Sequence, residues 1–520
     1  MQEHTPPEET QVLIIGFGPA GATLAALLGR FGIDTLVIDK NHEILPMPRA
    51  IALDNEALRV LQMVGLDEQA FARLPISQVN MLSPLLGRFA NANTRGSLDG
   101  HPKLVTFYQP ELEQALRKQV TTYPCVQFHG GWELLNLRQD ADGVQALMRD
   151  TNGVERLVMA KHLVGADGAS SRVRSLIGED FQGKTYAEDW LIVDAKQRQG
   201  AAIDHVEFIC DPRRSVPHMP APGGRERWEF MLKPGETREE MENPAKITAL
   251  MAPWAAGQKL DIERTAVYRF HARCCKHFSK GRVFLAGDAA HITPPFVGQG
   301  LVAGLRDVAN LAWKLAWVNK GYAAPKILLS YDQERRPHAW KMIQLARFMG
   351  HLIMTRNSLS ALIIHGLMKL IRGIAPLRRH LEELKIKPTN RFSQGLFVCR
   401  SRSDQCDHGA QLTQNWVRWQ EQIQLSDDVL GSRLLMLGFG CNPQTLLSPA
   451  IHQRWAAAGG EYLQIGMQGE SAVAEDLSNQ LSAPFTQARV LVVRPDKVIM
   501  ADAAPEDAAL MLKQCLALLV

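Results

Sequence analysis

The chain has 520 residues, of which 22% are charged, and its formal net charge is only +4. A chain of this length is expected to form about two to four domains, each able to bury a core. Its nearly balanced charge gives no case for a nucleic-acid partner or for an acidic membrane surface.

The chain starts with a polar, mildly acidic stretch over residues 1–10. This stretch has neither the basic nor the apolar region of a secretory signal. The eight cysteines are scattered and indicate reduced thiols, so we expect a cytoplasmic protein. The most apolar later stretch, residues 359–371, is too short to cross a bilayer and contains His365 and Lys369. No membrane partner is therefore expected.

A glycine-rich turn follows the first predicted strand, which covers the apolar residues 12–15. The turn consists of Gly16, Phe17, Gly18, Pro19, Ala20 and Gly21. Residues 22–28 then predict a helix, and residues 35–38 predict a second strand that ends at Asp39. This order, with an acid about twenty residues after the glycines, is typical of dinucleotide-binding proteins.

Each part of this pattern has a physical task. Gly16 allows the tight turn, Gly18 lets the backbone approach a pyrophosphate, and Gly21 lets the helix pack closely against the strand. The start of the helix offers free N–H groups and a partial positive charge to the phosphates. The carboxylate of Asp39 can accept hydrogen bonds from ribose hydroxyls. The sequence therefore predicts a dinucleotide held in the Rossmann manner, in preference to a plain glycine turn.

Two later segments also place an acid at the end of a predicted strand. Asp167 follows a strand at residues 163–166, and Asp288 follows a strand at residues 283–286. After the second acid comes a loop that contains Pro294, Pro295, Gly298, Gln299, Gly300 and Leu301. Ligands of α/β sheets bind at such strand ends, so Asp288 suits a ribityl hydroxyl and the loop suits the anionic edge of a flavin. The plain alternative makes each acid a helix cap or a turn residue.

The order of these three motifs resembles that of the class A flavoprotein aromatic hydroxylases, the group of p-hydroxybenzoate hydroxylase and phenol hydroxylase. Residues 48–50 and 109–113 also match positions at which this family contacts the isoalloxazine and the ribityl chain. Within the group, the resemblance is greatest to hydroxylases of 3-(3-hydroxyphenyl)propionate, and it rests on residues 48–59, 228–236 and 331–336. One departure is Val302, which stands where family members often have Asn.

The resemblance implies FAD as the bound cofactor, NADH or NADPH as a transient reductant, and O2 as the co-substrate. It implies hydroxylation of a small phenolic substrate through a flavin C4a-hydroperoxide, a chemistry that the cofactor carries. No metal is expected. The residues that the resemblance and the motifs assign to the cofactor are Gly16, Gly18, Pro19, Ala20, Gly21, Asp39, Lys40, Arg49, Gln109, Asp167, Asp288, Pro295, Gly298, Gly300 and Leu301.

Three residues are candidates for catalysis. Asp54 resembles the active-site acid of phenol hydroxylases and would move or orient a proton, although it could also cap a helix that starts at Glu56. His291 lies near the flavin by its motif, and a structural role at the junction of strand and loop is the alternative. The backbone carbonyl of Pro295 resembles a family contact to the substrate.

The predicted fold class is α/β, with a Rossmann-type FAD-binding domain, an inserted β-sheet substrate domain and a thioredoxin-like C-terminal domain. The predicted FAD-binding domain covers residues 1–180 and 272–350, and the insert covers residues 181–271. A helical segment at residues 351–395 is predicted to be buried core, with a dimer face or a tunnel wall as alternatives. Residues 396–520 form the C-terminal domain, in which Cys441 has no CxxC partner and no redox role is expected.

The predicted substrate residues lie in the insert and are Arg214, Arg213, Arg227, Trp228 and Met231. The arginines could pair with a carboxylate such as a propionate side chain, and a solvent-exposed hairpin is the alternative. The first expectation is therefore ortho-hydroxylation of a phenylpropanoate to a catechol. A neutral phenol is the alternative substrate, a GDI-like non-catalytic binding protein is the rival class, and a homodimer is left open.

Overall fold

The computed structural model describes residues 5–196, 203–255, 260–355, 357–374, 376, 387–399, 406–467, 474–482, 484–485 and 487–520. The predicted helical segment at 351–395 therefore lies partly outside the described residues. Every helix in these ranges is too short or too polar to cross a membrane.

The strands before the insert are β1 (Glu9–Ile15), β2 (Thr35–Asp39), β3 (Ala52–Asp54), β4 (Arg73–Pro75), β5 (Gln78–Ser83), β6 (Gly87–Asn93), β7 (Ser97–Leu98), β8 (His101–Pro102), β9 (Leu104–Phe107), β10 (Val126–Gly130), β11 (Trp132–Gln139), β12 (Val144–Asp150) and β13 (Glu155–Gly165). The central strands are β14 (Phe181–Lys196), β15 (Val206–Ile209), β16 (Val216–Ala221), β17 (Arg225–Met231), β18 (Asp261–Cys275), β19 (Ser279–Lys280), β20 (Val283–Leu285) and β21 (His291–Ile292). The C-terminal strands are β22 (Trp416–Trp419), β23 (Gln422–Leu425), β24 (Leu434–Phe439), β25 (Gly460–Met467), β26 (Ala474–Asp476), β27 (Arg489–Val493) and β28 (Ile499–Ala503).

The α-helices described are α1 (Pro19–Arg30), α2 (Asn55–Val64), α3 (Gln109–Val120), α4 (Arg172–Leu176), α5 (Arg238–Met241), α6 (Pro244–Ala255), α7 (Gly300–Asn319), α8 (Ser330–Ile353), α9 (Ser358–Gly373), α10 (Ser426–Leu430), α11 (Pro449–Ala457) and α12 (Ala508–Leu519). Before α7 begins there are two single 3₁₀ turns, one at Gly287–Ala289 around Asp288 and one at Pro295–Val297 within the predicted flavin loop.

The first sheet has the strand order β10-β2-β1-β13-β12-β11, and β20 extends it beside β13. β1 lies parallel to β2 and to β13, so these strands end at the same edge. Residues 12–14 are completely buried because helices cover the sheet, which explains their unbroken apolar run. The common edge brings Gly16, Asp39 and Asp167 together, as the predicted strand ends require.

The second sheet forms a roof above that edge, in the order β21-β18-β14-β17-β16-β15-β5-β6. Its central strands come from the predicted insert, but β5 and β6 come from residues 78–93, within the range predicted for the FAD-binding domain. The parallel pairing of β15 with β5 joins segments more than one hundred residues apart, so no local pattern could reveal it. The predicted domain ranges themselves stay predictions.

The third sheet belongs to the C-terminal part and has the order β23-β22-β26-β25-β24-β27-β28. β24 and β25 are parallel and are connected through α11, whereas β27 and β28 form an antiparallel pair that leads into α12. This arrangement of a βαβ unit followed by a ββα unit matches the predicted thioredoxin-like domain.

Helix α9 differs from the expectation of a buried core. Of its residues, only Ala361 and His365 are buried, whereas Leu359, Ile363 and Leu370 are exposed. The helix packs on β6 by one narrow side, where His365 stacks on Phe89 with 4.0 Å between ring centroids. The homodimer left open by the sequence stays a prediction.

Buried ion pairs hold the C-terminal domain against helices α7 and α8. Arg494, in the C-terminal domain, donates to Glu334 of α8 at 2.7 Å, and both side chains are fully buried. Lys314 of α7 contacts the same carboxylate at 2.8 Å. Burial alone would raise the pKa of Glu334, but these two cations lower it well below its usual range. The carboxylate is therefore ionised in the folded protein and depends on its partners.

We predict that Arg494→Met lowers the free energy of unfolding by about 3–5 kcal/mol, because the substitution leaves a buried charge with too little compensation. Denaturant unfolding of the variant and the parent protein measures this difference. The control is Arg418→Met, since Arg418 pairs with Glu475 at the surface and its side chain is 47% exposed; we expect a change below about 1 kcal/mol. Equal effects of the two substitutions would contradict the prediction.

Candidate active site

A cavity of about 1560 Å³ runs from the glycine turn after β1 to the underside of the roof sheet. The turn needs its glycines because there is no space for side chains. Gly16 has φ +103°, and a Cβ there would lie 2.5 Å from the carbonyl oxygen of Ala166. A Cβ on Gly21 would lie 2.0 Å from the carbonyl oxygen of Gly16. Gly18, by contrast, faces open space at the start of α1, where free N–H groups can receive a phosphate.

Asp39 lies at the end of β2 and lines the cavity together with Lys40. Its carboxylate accepts hydrogen bonds from the backbone N–H groups of Phe17 and Asn41, each at 2.8 Å. These bonds fix the glycine turn against the neighbouring strand. Each carboxylate oxygen keeps a lone pair, so Asp39 can still accept a ribose hydroxyl.

The segment of Pro48, Arg49 and Ala50 lies between the two sheets. Gln109 accepts hydrogen bonds from the N–H groups of Arg49 and Ala50 through one oxygen, at 2.8 and 2.7 Å, and its amide donates to Glu113 at 2.8 Å. Gln109 lines the cavity, but its described hydrogen bonds shape this segment. Its predicted contact with the cofactor stays a prediction.

A buried ion cluster holds the same segment from the roof side. Arg227 of β17 forms two hydrogen bonds with Asp194 of β14, at 2.6 and 3.1 Å. The same guanidinium donates to the carbonyl oxygens of Arg49 and Pro48, both at 3.0 Å. Arg264 of β18 also contacts Asp194, at 3.1 Å. The cluster therefore joins the roof sheet to the segment predicted to contact the flavin.

Two acids on the cavity wall have hydrogen-bonding capacity that the described residues do not use. Asp167 accepts from the N–H groups of Arg172 and Val173 through Oδ2, while its buried Oδ1 has no hydrogen-bond partner. Asp288 forms no hydrogen bond through its carboxylate with any described residue. Burial raises the pKa of both acids, against the opposing effect of nearby donors or cations. These free acceptors, together with the cradle at Gly18, fit a dinucleotide with hydroxyl groups along its length.

Asp54 lines the cavity, but it is also the helix cap that the sequence offered as an alternative. Its Oδ1 accepts from the N–H of Ala57 at 2.9 Å, at the start of α2. Its Oδ2 contacts Arg306 at 3.0 Å and Lys387 at 2.7 Å. Burial would raise the pKa of Asp54, but Lys387 and Arg306 together lower it well below its usual range. Asp54 is therefore an ionised residue that orients its neighbours, and it is a weak proton acceptor.

His291 is buried at the start of β21 and does not line the cavity. Its Nε2 lies 2.6 Å from Asp307, which also contacts Arg335 at 3.0 Å. This placement matches the structural alternative at the junction of strand and loop. Pro295, Gly298, Gly300 and Leu301 do line the cavity, as expected of the flavin loop.

The predicted substrate residues divide between the two faces of the roof. Side chains alternate along β17, so Arg227 reaches the cavity whereas Trp228 lies on the far face, stacked on His218 with 4.6 Å between ring centroids. Arg213 pairs with Asp211 at the surface.

Two further predicted residues also lie outside the lining. Arg214 contacts Glu236 and the carbonyl oxygen of Met231, and neither Arg214 nor Met231 lines the cavity. A carboxylate clamp built on Arg213 and Arg214 is therefore not supported, because both guanidinium groups already have acidic partners outside the cavity.

The sequence reasoning missed most of the apolar lining and an acid of the roof sheet. The apolar lining near the roof comprises Val79, Met81, Val206, Phe208, Met219, Phe296, Met349 and Leu352. The acid is Glu229, two residues after Arg227 on the same face of β17. The alternation of β17 could have placed Glu229 beside Arg227. The apolar residues come from five separate segments and carry no common sequence signal.

Comparison with known proteins agrees with this geometry. Residues 9–346 match the family model described as FAD binding domain, and residues 409–518 match the HcaD C-terminal domain. The chain is 35% identical to a 3-(3-hydroxy-phenyl)propionate/3-hydroxycinnamic acid hydroxylase of Burkholderia cenocepacia, over 96% of this chain and 94% of the relative. A hydroxylase of the same name from Escherichia coli is 32% identical, over 95% of this chain and 92% of the relative. The flavin-dependent monooxygenase PieE, solved with FAD and substrate, has a TM-score of 0.82 at 21% identity, covering 99% of this chain and all of that chain.

A Rossmann-type sheet, a roof sheet and a cavity between them define a flavoprotein of the aromatic hydroxylase class. The chain belongs to the FAD-binding-domain family of these hydroxylases, and it is an FAD-dependent aromatic monooxygenase. The predicted fold class, enzyme class and use of FAD with NAD(P)H and O2 are confirmed.

We predict that Asp288→Ala weakens FAD binding about tenfold to hundredfold, because it removes hydrogen bonds to a charged acceptor worth about 1.5–3 kcal/mol. Titration of the apoprotein with FAD, followed by flavin fluorescence, measures the dissociation constant. Asp142→Ala is the control, since Asp142 is exposed and does not line the cavity. An unchanged dissociation constant in Asp288→Ala would show that this acid does not hold the cofactor.

Proposed function

We propose that the protein hydroxylates a monophenol with a short acidic side chain at the ring carbon ortho to the hydroxyl, giving a catechol. The first candidate substrate is 3-(3-hydroxyphenyl)propionate. The observation that carries the proposal is the continuity of one cavity from the dinucleotide cradle to an apolar roof. The names of the relatives that match nearly the whole chain support the same substrate class.

When FAD is bound, it supplies electrons taken from NAD(P)H and one oxygen atom of O2. The residues of the chain bind the ring, orient it and exclude water. Apolar side chains such as Phe208, Met219 and Phe296 would hold the aromatic ring by packing, and they keep the surroundings dry. The ionised Asp54 keeps Arg306 and Lys387 in place at the other end of the cavity.

Lys103 is the cation that we assign to the substrate carboxylate in place of Arg214. It lines the cavity beside Leu104, which packs in one cluster with Val206 and Met219 below the roof. Its ammonium group forms no hydrogen bond or ion pair with any described residue. A free cation at the edge of an apolar pocket pairs well with a short carboxylate.

The test compares 3-(3-hydroxyphenyl)propionate with its methyl ester and with 3-ethylphenol, by the formation of hydroxylated product during NAD(P)H oxidation. We expect kcat/KM for the acid to exceed that for either neutral phenol by about tenfold or more, since burying the cation unpaired costs free energy. Lys103→Met should abolish the preference. Arg213→Met is the matched control, because its side chain is 80% exposed and lies outside the cavity.

Equal turnover of the acid and the neutral phenols would favour the second candidate, a hydroxylase of resorcinol-, orcinol- or alkylphenol-type substrates. The positions of Arg213 and Arg214, paired with acids away from the cavity, are the observation that favours it. Absence of any hydroxylated product, with peroxide as the only product of NAD(P)H oxidation, would contradict both substrates.

A further inference from the structure

Glu229 is the acid of the roof sheet that the sequence reasoning missed. It lies near the middle of β17, between Arg227 and Met231 on one face of the strand, and it pairs across the sheet with Ile192 of β14. The residue is only 7% exposed, yet it lines the cavity. Its carboxyl group therefore meets the cavity and not bulk water.

The carboxyl group of Glu229 forms no hydrogen bond and no ion pair with any residue in the described ranges. The neighbouring acid Asp194 is different, because it is held by Arg227 at 2.6 Å and by Arg264 at 3.1 Å. A buried carboxyl group without a partner costs free energy, since it has lost its hydration without compensation. Such a group in a binding cavity indicates a ligand with a matching donor.

The surroundings of Glu229 in the cavity are mostly apolar. Phe208 pairs with Met81 across the adjacent strands of the roof, and both line the cavity. Phe296 reaches the same space from the flavin loop. An aromatic ring bound among these side chains would be able to direct one polar substituent at Glu229. A phenol offers one hydroxyl donor of this kind.

We propose that Glu229 is a catalytic residue that accepts the hydrogen of the phenolic hydroxyl of the substrate. The proposal rests on the proposed function, because it needs a phenol in the cavity. The ring carbon gains a hydroxyl group from O2, whose O–O bond breaks with two electrons from NAD(P)H and whose second oxygen atom leaves as water. In the same step the O–H bond of the phenol breaks, its proton goes to a Glu229 oxygen, and its electron pair forms the ring carbonyl. When the ring carbon loses its own proton to solvent, Glu229 returns the first proton to the carbonyl oxygen, and the catechol forms.

The charged groups that face Glu229 decide its ionisation. They are Arg227 on its own strand, Asp194 on β14 and Arg264 on β18. Burial raises the pKa of Glu229 to about 7, against the opposing effect of Arg227. The group is therefore protonated below that pH and ionised above it, so it becomes a proton acceptor as the pH rises through about 7. Asp54 cannot do this work, because Lys387 and Arg306 keep its pKa far lower.

The first experiment measures binding to the oxidised holoenzyme without NAD(P)H, from the change in the flavin absorbance spectrum. The ligands are two pairs that differ only in the hydroxyl: 3-(3-hydroxyphenyl)propionate with 3-phenylpropionate, and 3-ethylphenol with ethylbenzene. We expect the parent protein to prefer the hydroxylated member about tenfold or more at about pH 8.5, and several-fold less at about pH 6, because the carboxylate is the stronger acceptor. Neither phenol nor propionate titrates in this range.

The variant for this experiment is Glu229→Gln, which keeps the size of the side chain and cannot ionise. Its preference for the hydroxylated ligand should be small and should not change with pH. Glu263→Gln is the matched control, since Glu263 lies on the same sheet, pairs with Arg225 and does not line the cavity. The control should keep both the preference and its pH dependence.

The second experiment measures kcat/KM for hydroxylated product against pH. The parent protein should lose activity as the pH falls through about 7. Glu229→Gln should be slower by about 10²–10⁴-fold and should lack this dependence. Glu229→Asp should recover part of the rate with its pH dependence, which a purely structural role would not produce. FAD content and thermal unfolding of each variant show that it is folded.

The outcomes separate the two proposals. Binding of the hydroxylated ligands with a preference that ignores pH, or that survives in Glu229→Gln, overturns the role of Glu229 and leaves the proposed function in place. Failure of both hydroxylated ligands to bind the folded holoenzyme overturns the proposed function, and the role of Glu229 with it.

Discussion

The buried ion cluster of Arg227, Asp194 and Arg264 is the interaction on which the rest of the site depends. It joins the roof sheet to the backbone of the segment at residues 48–50, because Arg227 donates to two carbonyl oxygens there. Gln109 holds the same segment from the other side, because its side-chain oxygen accepts hydrogen bonds from the N–H groups of Arg49 and Ala50. The position of this segment relative to the roof sheet is therefore fixed by hydrogen bonds, and not only by packing. Buried ion pairs of this kind add little net stability. Removal of one partner is nevertheless strongly destabilising, because it leaves a buried charge without compensation.

Helix α7 links the predicted flavin loop to the C-terminal domain. It begins at the flavin loop, and its buried face carries Arg306, which contacts Asp54, and Lys314, which contacts Glu334. Glu334 is in turn held by Arg494 of the C-terminal domain. One helix thus connects the predicted flavin loop to a domain from which no described residue lines the cavity. This connection gives the C-terminal domain a structural task that needs no redox cysteine.

The sequence predicted the parts of the fold that depend on local pattern. The strands before Gly16, Asp167 and Asp288 and the helices after the glycine turns follow from apolar runs and glycine spacing, and their positions meet at one sheet edge. The resemblance to a family supplied the cofactor. Both kinds of signal are contained in short stretches of chain.

The remaining features depend on contacts between distant segments. Strands β5 and β6 join the roof sheet, and Lys387 lies beside Asp54. Neither contact produces a pattern in the neighbouring sequence that could predict it. Arg213 and Arg214 were expected to bind substrate because they are basic, but charge alone does not show whether an acid such as Asp211 already pairs with an arginine. Glu229 lies within residues 228–236, which carry the family resemblance, and strand alternation beside Arg227 would have placed it on the cavity face.

The cavity of about 1560 Å³ makes the stability of the folded protein depend on FAD. The two sheets enclose a space that their own side chains do not fill, and Asp167, Asp288 and Glu229 have carboxylate oxygens there that no described residue contacts by a hydrogen bond. Binding of FAD to the folded chain alone therefore adds stability by mass action, in proportion to the logarithm of its free concentration. The apoprotein lacks this contribution, so it unfolds more often than the holoenzyme and is the more easily proteolysed form.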